Sequence, residues 1–218
     1  MESTLEVRWF VRGKPSAAEQ HWFESDCLGE SLGWEKRQDW YAYFPQSCLD
    51  ELTNCLDRQF KPQEINLKLR QGNLELKLRQ QKSEIGIDRS KDSYTCQGKI
   101  EQWHKFTPPE LNQFGLLPNK LLDRLDWMGV YKERQQKIER GVKSELTYLK
   151  VDRQHWWSLA FEMTQSDRGN NSCFEEVVAT CQKYCKPNLS AVNSYGYSEW
   201  LLKQVPKTVP YREINVSK

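Results

Sequence analysis

Charged side chains occupy every second position in several runs that otherwise read as β-strands, and this alternation limits the fold more than any other feature. Ile65–Arg70 reads INLKLR and Leu74–Arg79 reads LELKLR, so Lys68, Arg70, Lys77 and Arg79 alternate with leucines. Leu5–Phe10 (LEVRWF), Ser144–Lys150 (SELTYLK) and Trp156–Met163 (WWSLAFEM) show the same habit. Successive side chains of a strand point to opposite faces, so each run has an apolar face and a face of mixed charge. Two arrangements fit. The charges face water around an apolar interior, the ordinary behaviour of an antiparallel sheet, or they line a polar lumen whose outer wall packs against helices.

Turn chemistry sets the ends of these runs. A first strand spans Thr4–Arg12 and is ended by Gly13 and Pro15. Ser16, with Glu19 three residues on, predicts a capped helix over Ala17–Glu24. A loop with Gly29 and Gly33 leads to an aromatic strand, Trp34–Phe44, closed by Pro45. The leucine spacing of Ser47–Arg58 predicts a short helix. Gln63–Arg70 and Asn73–Gln80 read as strands joined by a tight turn at Gln71-Gly72. Lys82–Asp92 reads as a loop and Gln97–Phe106 as a strand stopped by Pro108-Pro109. Short helices are expected over Pro109–Phe114 and Asn119–Leu125. Gly129–Arg140 and Gly141–Val151 read as paired strands, and His155–Thr164 as the next. After a loop at Asp167–Asn171, Ser172 caps an amphipathic helix over Cys173–Tyr184, and Ser194–Leu202 is the last ordered piece. The expected fold class is α+β: an eight-stranded, mostly antiparallel barrel or tunnel with a few helices packed outside. It is expected to form one domain over residues 1–205, with a loose tail over 206–218.

The charge balance narrows the partners. Thirty-two Lys and Arg nearly offset 30 Asp and Glu, for a net charge of +2. Nucleic-acid binders usually carry a strongly basic balance or a basic block, so no nucleic acid is expected, although clustered Lys and Arg can still serve a small polyanion. The seven cysteines are odd in number and contain no CxxC pair. With no signal-peptide pattern and no 18-residue apolar run, a reducing, cytoplasmic setting fits, with no membrane. His21, His104 and His155 have no ligand spacing to a cysteine pair, which leaves zinc a poor candidate.

The motifs of Leu121–Glu162 resemble the second half of a CYTH domain, the triphosphate tunnel metalloenzyme family. Val130-Tyr131-Lys132-Glu133-Arg134 is similar to the family's VxKxR-like strand, Glu145 in SELTYL to its acidic strand, and Glu162 in SLAFEM to its strand ending in Glu. Ser172–Tyr184 matches the helix that follows, and Ser194-Tyr195 or Tyr197–Leu201 the closing segment. Upstream, LELKLR with Lys77 and Arg79 resembles the family's LRxR strand, and WHKF with Lys105 its central lysine strand. The resemblance spans nearly the whole chain through short motifs. It implies an eight-stranded tunnel in which Lys and Arg converge on a triphosphate. It also implies glutamates that hold one or two divalent ions, Mg²⁺ or Mn²⁺, to assist phosphoryl chemistry. Carried onto this chain, Arg8, Lys77, Arg79, Lys105, Lys132 and Arg134 are the expected anion ligands.

The chain also departs from that pattern. The family's first strand carries ExExK; here Glu6 keeps the first acid, Arg8 stands at the second and Phe10 replaces the lysine. Ala160 precedes Glu162 where an ExE pair is usual. The expected metal ligands are reduced to Glu6, Glu145 and Glu162, with Glu75 and Glu101 as additions. Arg8 should pair with Glu6 and weaken its hold on a cation. The expectation is a tunnel that binds a phosphorylated small molecule or polyphosphate, with weak metal-dependent hydrolysis or none. The alternatives are a metal-dependent triphosphatase in which other acids substitute, and a scaffold barrel with no small-molecule chemistry. Glu162 is the sharpest single candidate, because a carboxylate among Trp156, Trp157, Leu159 and Phe161 needs a partner or a metal. His104 reads as a surface histidine, and the tryptophans as core.

Overall fold

Eight strands pair edge to edge until the last meets the first, and every ladder is antiparallel. The strands are β1 (Glu2–Arg12), β2 (Glu30–Tyr43), β3 (Glu64–Arg70), β4 (Asn73–Lys82), β5 (Glu101–Phe106), β6 (Asp126–Glu139), β7 (Val142–Val151) and β8 (Gln154–Gln165). They close in the order β1-β5-β4-β3-β2-β6-β7-β8. Among the described residues three α-helices are delimited beside them: α1 (Ala17–Ser25), α2 (Asn171–Lys183) and α3 (Tyr197–Gln204). The computed structural model describes residues 2–44, 50, 63–83, 97–106, 122, 125–165, 171–183 and 189–204. The helix expected over Pro109–Phe114 and the 206–218 tail lie outside the described residues, as do nearly all of the helices expected over Ser47–Arg58 and Asn119–Leu125 and of the Lys82–Asp92 loop. Among these residues no helix is long and apolar enough to cross a membrane.

Local chemistry explains the boundaries. The hairpin between β3 and β4 turns through Gln71 and Gly72, at φ 49° and 80°. Two successive left-handed residues make the turn whose twist suits adjacent strands. Ser16 accepts from the Glu19 backbone N–H and Glu19 reaches back to the Ser16 N–H, so the expected capping box starts α1. β2 begins at Glu30, not Trp34. The expected loop glycine Gly33, at φ 87°, is instead paired with Gln136 in the β2–β6 ladder, beside a bulge at Leu32. β5 begins at Glu101 because the preceding backbone is used elsewhere. The Gln97 carbonyl accepts from Trp9 Nε1, the Gln97 N–H donates to Leu189, and the Lys99 N–H donates to Ser194 Oγ.

The period-two pattern sorts the side chains. On β1, Leu5, Val7 and Trp9 face outward into a core shared with Trp22 and Phe23 of α1 and Phe174, Val177, Val178 and Cys181 of α2. The reduced thiols of Cys27 and Cys181 meet there at 3.9 Å. On the opposite wall, Leu67, Leu69, Leu76 and Leu78 pack with Phe44, Phe106 and Trp127. The complementary positions face inward, where the lumen changes character along its length. At one end Phe10, Val130, Leu149 and Trp156 meet Tyr197, Trp200 and Leu201 of α3, with Phe10 stacked on Trp200 at 4.3 Å. Two residues further along each of these strands the inward positions are Arg8, Lys132, Thr147 and Ser158. The barrel therefore has an apolar floor and an ionic interior.

The chain before α3 is stitched to the barrel. Ser194 bridges to Trp9, and the Tyr195 N–H donates to the Arg8 carbonyl at 3.1 Å. Gly196 allows the close approach: a Cβ there would lie 2.8 Å from the Trp103 ring and 3.0 Å from Glu101. Tyr197 thereby enters the lumen.

Candidate functional site

The ionic interior is a continuous tunnel of two chambers that share Arg8, Lys68, Arg70, Lys77, Arg134 and three glutamates, Glu75, Glu145 and Glu162. The inner chamber ends on Tyr41, Trp103, Gly196 and Tyr197. The outer one includes Lys105, Lys143 and Gln136. Seven cations face three carboxylates in that outer chamber.

Each wall contributes by alternation. From β1, Glu6 and Arg8 share the inner face. Arg8 Nε donates to Glu6 Oε1 at 2.8 Å, and its Nη1 lies 3.0 Å from Glu145 Oε1 and 3.2 Å from Ser158 Oγ. The same guanidinium sits 4.6 Å from the Tyr197 ring centre. From β4, Lys77 lies 3.3 Å from Glu6 and 3.4 Å from Glu162. From β6, Arg134 pairs with Glu145 at 2.8 Å and with Glu35. Lys132 lies 3.0 Å from Asp39, 2.6 Å from the Tyr41 hydroxyl and 3.7 Å from the Tyr197 ring centre. Lys105 stands at the mouth, 3.7 Å from Glu75 and 4.0 Å from Glu2.

Burial and charge set the protonation of these groups. Burial alone would raise Glu6, but Lys77 and Arg8 outweigh it and hold the carboxyl at about 2. Burial is likewise outweighed at Glu145, where Arg8, Arg134 and Lys132 hold the carboxyl well below its ordinary range. Burial pulls Lys68 down to about 7, with Arg70 adding to the effect and Glu75 opposing it.

Three groups central to the site escaped the sequence reading. Asp39 is fully buried and faces Arg37 at 3.1 Å, Lys132 at 3.0 Å and Arg70 at 3.6 Å. Burial would raise it, yet Lys132, Lys68 and Arg37 hold it at about 2. Arg37 and Tyr41 share its face of β2. The inward stripe Glu35, Arg37, Asp39, Tyr41 was hidden because Lys36 and Gln38 occupy the outward positions between them, so the run Glu35–Asp39 shows no apolar alternation to read.

Arg79, from β4, does not line the two chambers. It lies 2.8 Å from Glu101 and 3.2 Å from Glu199, and it also pairs with Glu64. Lys82 joins this group, 3.1 Å from Glu101 and 2.6 Å from Glu199. Glu64, Glu101 and Glu199 form a cluster of acidic residues whose oxygens lie within 4.8 Å of one another. Its two cations are already protein side chains, and the cluster ties β3, β4 and β5 to α3.

The carboxylates expected to hold a divalent ion do not fit one. Glu6 and Glu145 converge on the Arg8 guanidinium, and Glu162 turns to Lys77. A hard divalent cation needs several oxygens free to converge on it. Here each of the three carboxylates already has an ammonium or guanidinium group on at least one oxygen.

No family model and no curated protein matches this sequence. Among solved structures, the chain is similar to a conserved hypothetical protein from Pyrococcus furiosus at 13% identity and TM-score 0.45, covering 90% of this chain and 98% of that one. It is also similar to the Mimivirus capping enzyme triphosphatase at 13% identity and TM-score 0.44, covering 83% and 88%. A third is the S. pombe RNA triphosphatase, at 10% identity and TM-score 0.40, covering 80% and 73%. The closed eight-stranded barrel rests on the strand register described above.

Proposed function

We infer that the tunnel binds a phosphorylated polyanion of the triphosphate or polyphosphate class. The observation that carries this reading is the outer chamber, where seven basic side chains face three carboxylates. Clustered Lys and Arg with reduced access to water attract a multiply charged oxyanion far more strongly than the same charges spread on a surface. The floor of Phe10, Tyr197 and Trp200 closes one end, so the ligand enters at the mouth marked by Lys105 and Lys143. The resemblance of the Lys77, Lys105, Lys132 and Arg134 strands to the triphosphate tunnel family supports the same ligand class. Hydrolysis assisted by Mg²⁺ or Mn²⁺ is not part of this reading, because Glu6, Glu145 and Glu162 are committed to cationic side chains.

The test is calorimetry and thermal unfolding with tripolyphosphate, polyphosphate and nucleoside triphosphates. Tripolyphosphate is expected to raise the melting temperature, and added salt to diminish the effect. Lys105→Ala and Lys143→Ala, both at the mouth, are expected to weaken binding several-fold while leaving the unliganded melting temperature in place. No stabilisation by any of these anions defeats the reading.

A further inference from the structure

Arg8 and Ala160 are register partners across β1 and β8, and Ala160 and Glu145 are register partners across β8 and β7. The three residues therefore form one row across three strands on the lumen wall. A methyl group at the middle position lets the Arg8 side chain pass over it, so that Nη1 reaches Glu145 at 3.0 Å while Nε stays on Glu6 at 2.8 Å. A longer side chain at 160 would occupy that path. In the adjacent row Glu6 faces Glu162, which brings the third carboxylate close by. Arg8 is 6% exposed, and its guanidinium is held from a second side by the Tyr197 ring and by Ser158. Its Nε and Nη1 hold Glu6 and Glu145, and Arg8 lines both chambers.

We propose that Arg8 is a built-in cation that stands in the place of a divalent metal, so that this tunnel binds its polyanion without one. The proposal rests on the anion-binding reading above and assigns its electrostatics. The chemistry is direct. Glu6 and Glu145 converge where they would attract a cation, and a guanidinium fills that role while keeping one face of N–H donors for a phosphate oxygen. The charge is covalently fixed, so it cannot be removed by a chelator. Ala160 is the enabling residue because it leaves the lane the guanidinium uses.

Two probes test this: tripolyphosphate in the presence of EDTA, followed by calorimetry, and Mn²⁺ alone, followed by the paramagnetic signal of the free ion. The wild-type protein is expected to bind tripolyphosphate in EDTA and to leave the Mn²⁺ signal unchanged. Arg8→Ala is expected to weaken tripolyphosphate in EDTA by about tenfold, the loss of one charge-assisted contact. It is also expected to gain Mn²⁺ binding, because Glu6 Oε1 and Glu145 Oε1 lose the guanidinium between them, while Lys77 and Arg134 keep the other two oxygens. Arg8→Lys keeps the charge and serves if the alanine variant does not fold. A single ammonium cannot hold both carboxylates and an anion, so its tripolyphosphate affinity should fall without any gain of Mn²⁺. Wild-type binding that vanishes in EDTA and returns with Mn²⁺ overturns the proposal, as does Mn²⁺ bound by the wild type and lost in Glu145→Gln. An Arg8→Lys variant with wild-type tripolyphosphate affinity also overturns it. Failure of tripolyphosphate to bind with or without Mn²⁺ is a different result, and it removes the anion-binding reading beneath it.

Discussion

Asp39 shows how much one carboxylate can govern. It lies fully buried among Arg37, Arg70 and Lys132, so removing its charge takes away the carboxylate that the three cations share. Breaking a buried ion network on one side is strongly destabilising. Asp39→Asn is expected to cost about 3–5 kcal/mol in urea unfolding, and Glu35→Gln, at the half-exposed rim, under about 1 kcal/mol. Lys68 gives a second prediction at this scale. Its neighbours are Arg70 on its own strand, Glu75 and Lys77 on β4, and Lys132 on β6. Because burial brings it to about 7, it is charged below that pH and neutral above it. A bound anion favours the charged form. Sulfate, which does not titrate in this range, should therefore lose affinity as pH rises above 7, by up to about tenfold per pH unit. Calorimetry near pH 8 in two buffers of different ionisation heat should show proton uptake on binding. Equal affinity at pH 6 and pH 8.5 would contradict this.

The helices and strands differ in how much of themselves they declared. The strands were legible because alternation is a local property, readable from four or five residues, and the inward positions of β3, β4, β6 and β8 follow from it directly. Ser16 and Glu19 announced α1 for the same reason. Three things were not local. Gly33 looks like a loop residue in isolation and joins a ladder only when β6 lies beside it. The start of β5 depends on Trp9, Leu189 and Ser194, which lie far away in sequence. The destination of Arg79 depends on Glu199 of α3, so its strand pattern could say which face it is on but not which end of the barrel it serves. α3 carries the prediction at this scale. Trp200 is fully buried against Phe10 and Trp156, and it anchors the floor. Trp200→Ala is expected to destabilise by about 3–5 kcal/mol and to raise hydrogen exchange in α3 more than in β7. Uniform exchange across both elements would show that the floor is not a separate unit.

Across the whole molecule, the ionic interior makes acid the vulnerable direction. Glu6, Asp39 and Glu199 are held at about 2, below their unfolded values of 4.5 and 3.8. A carboxyl with a depressed folded value stabilises above its unfolded value, and the benefit is lost as pH falls toward the folded one. The urea midpoint should therefore drop steeply between about pH 4.5 and pH 2. Glu64 and Glu101 shift the opposite way, raised chiefly by burial, and soften the drop without reversing it. A midpoint that is flat over this range would mean the carboxylates are not paired in solution as they are here.

Closure has a temporal side. Glu6 faces Glu101 across one edge of β1 and Glu162 across the other, so β1 must keep one flank bare until β8 has been made. Partners so distant along the chain make for slow folding. A chain without β8 would carry two open sheet edges, which invite pairing with other chains; the eighth strand of the barrel is thus the one that makes the first safe.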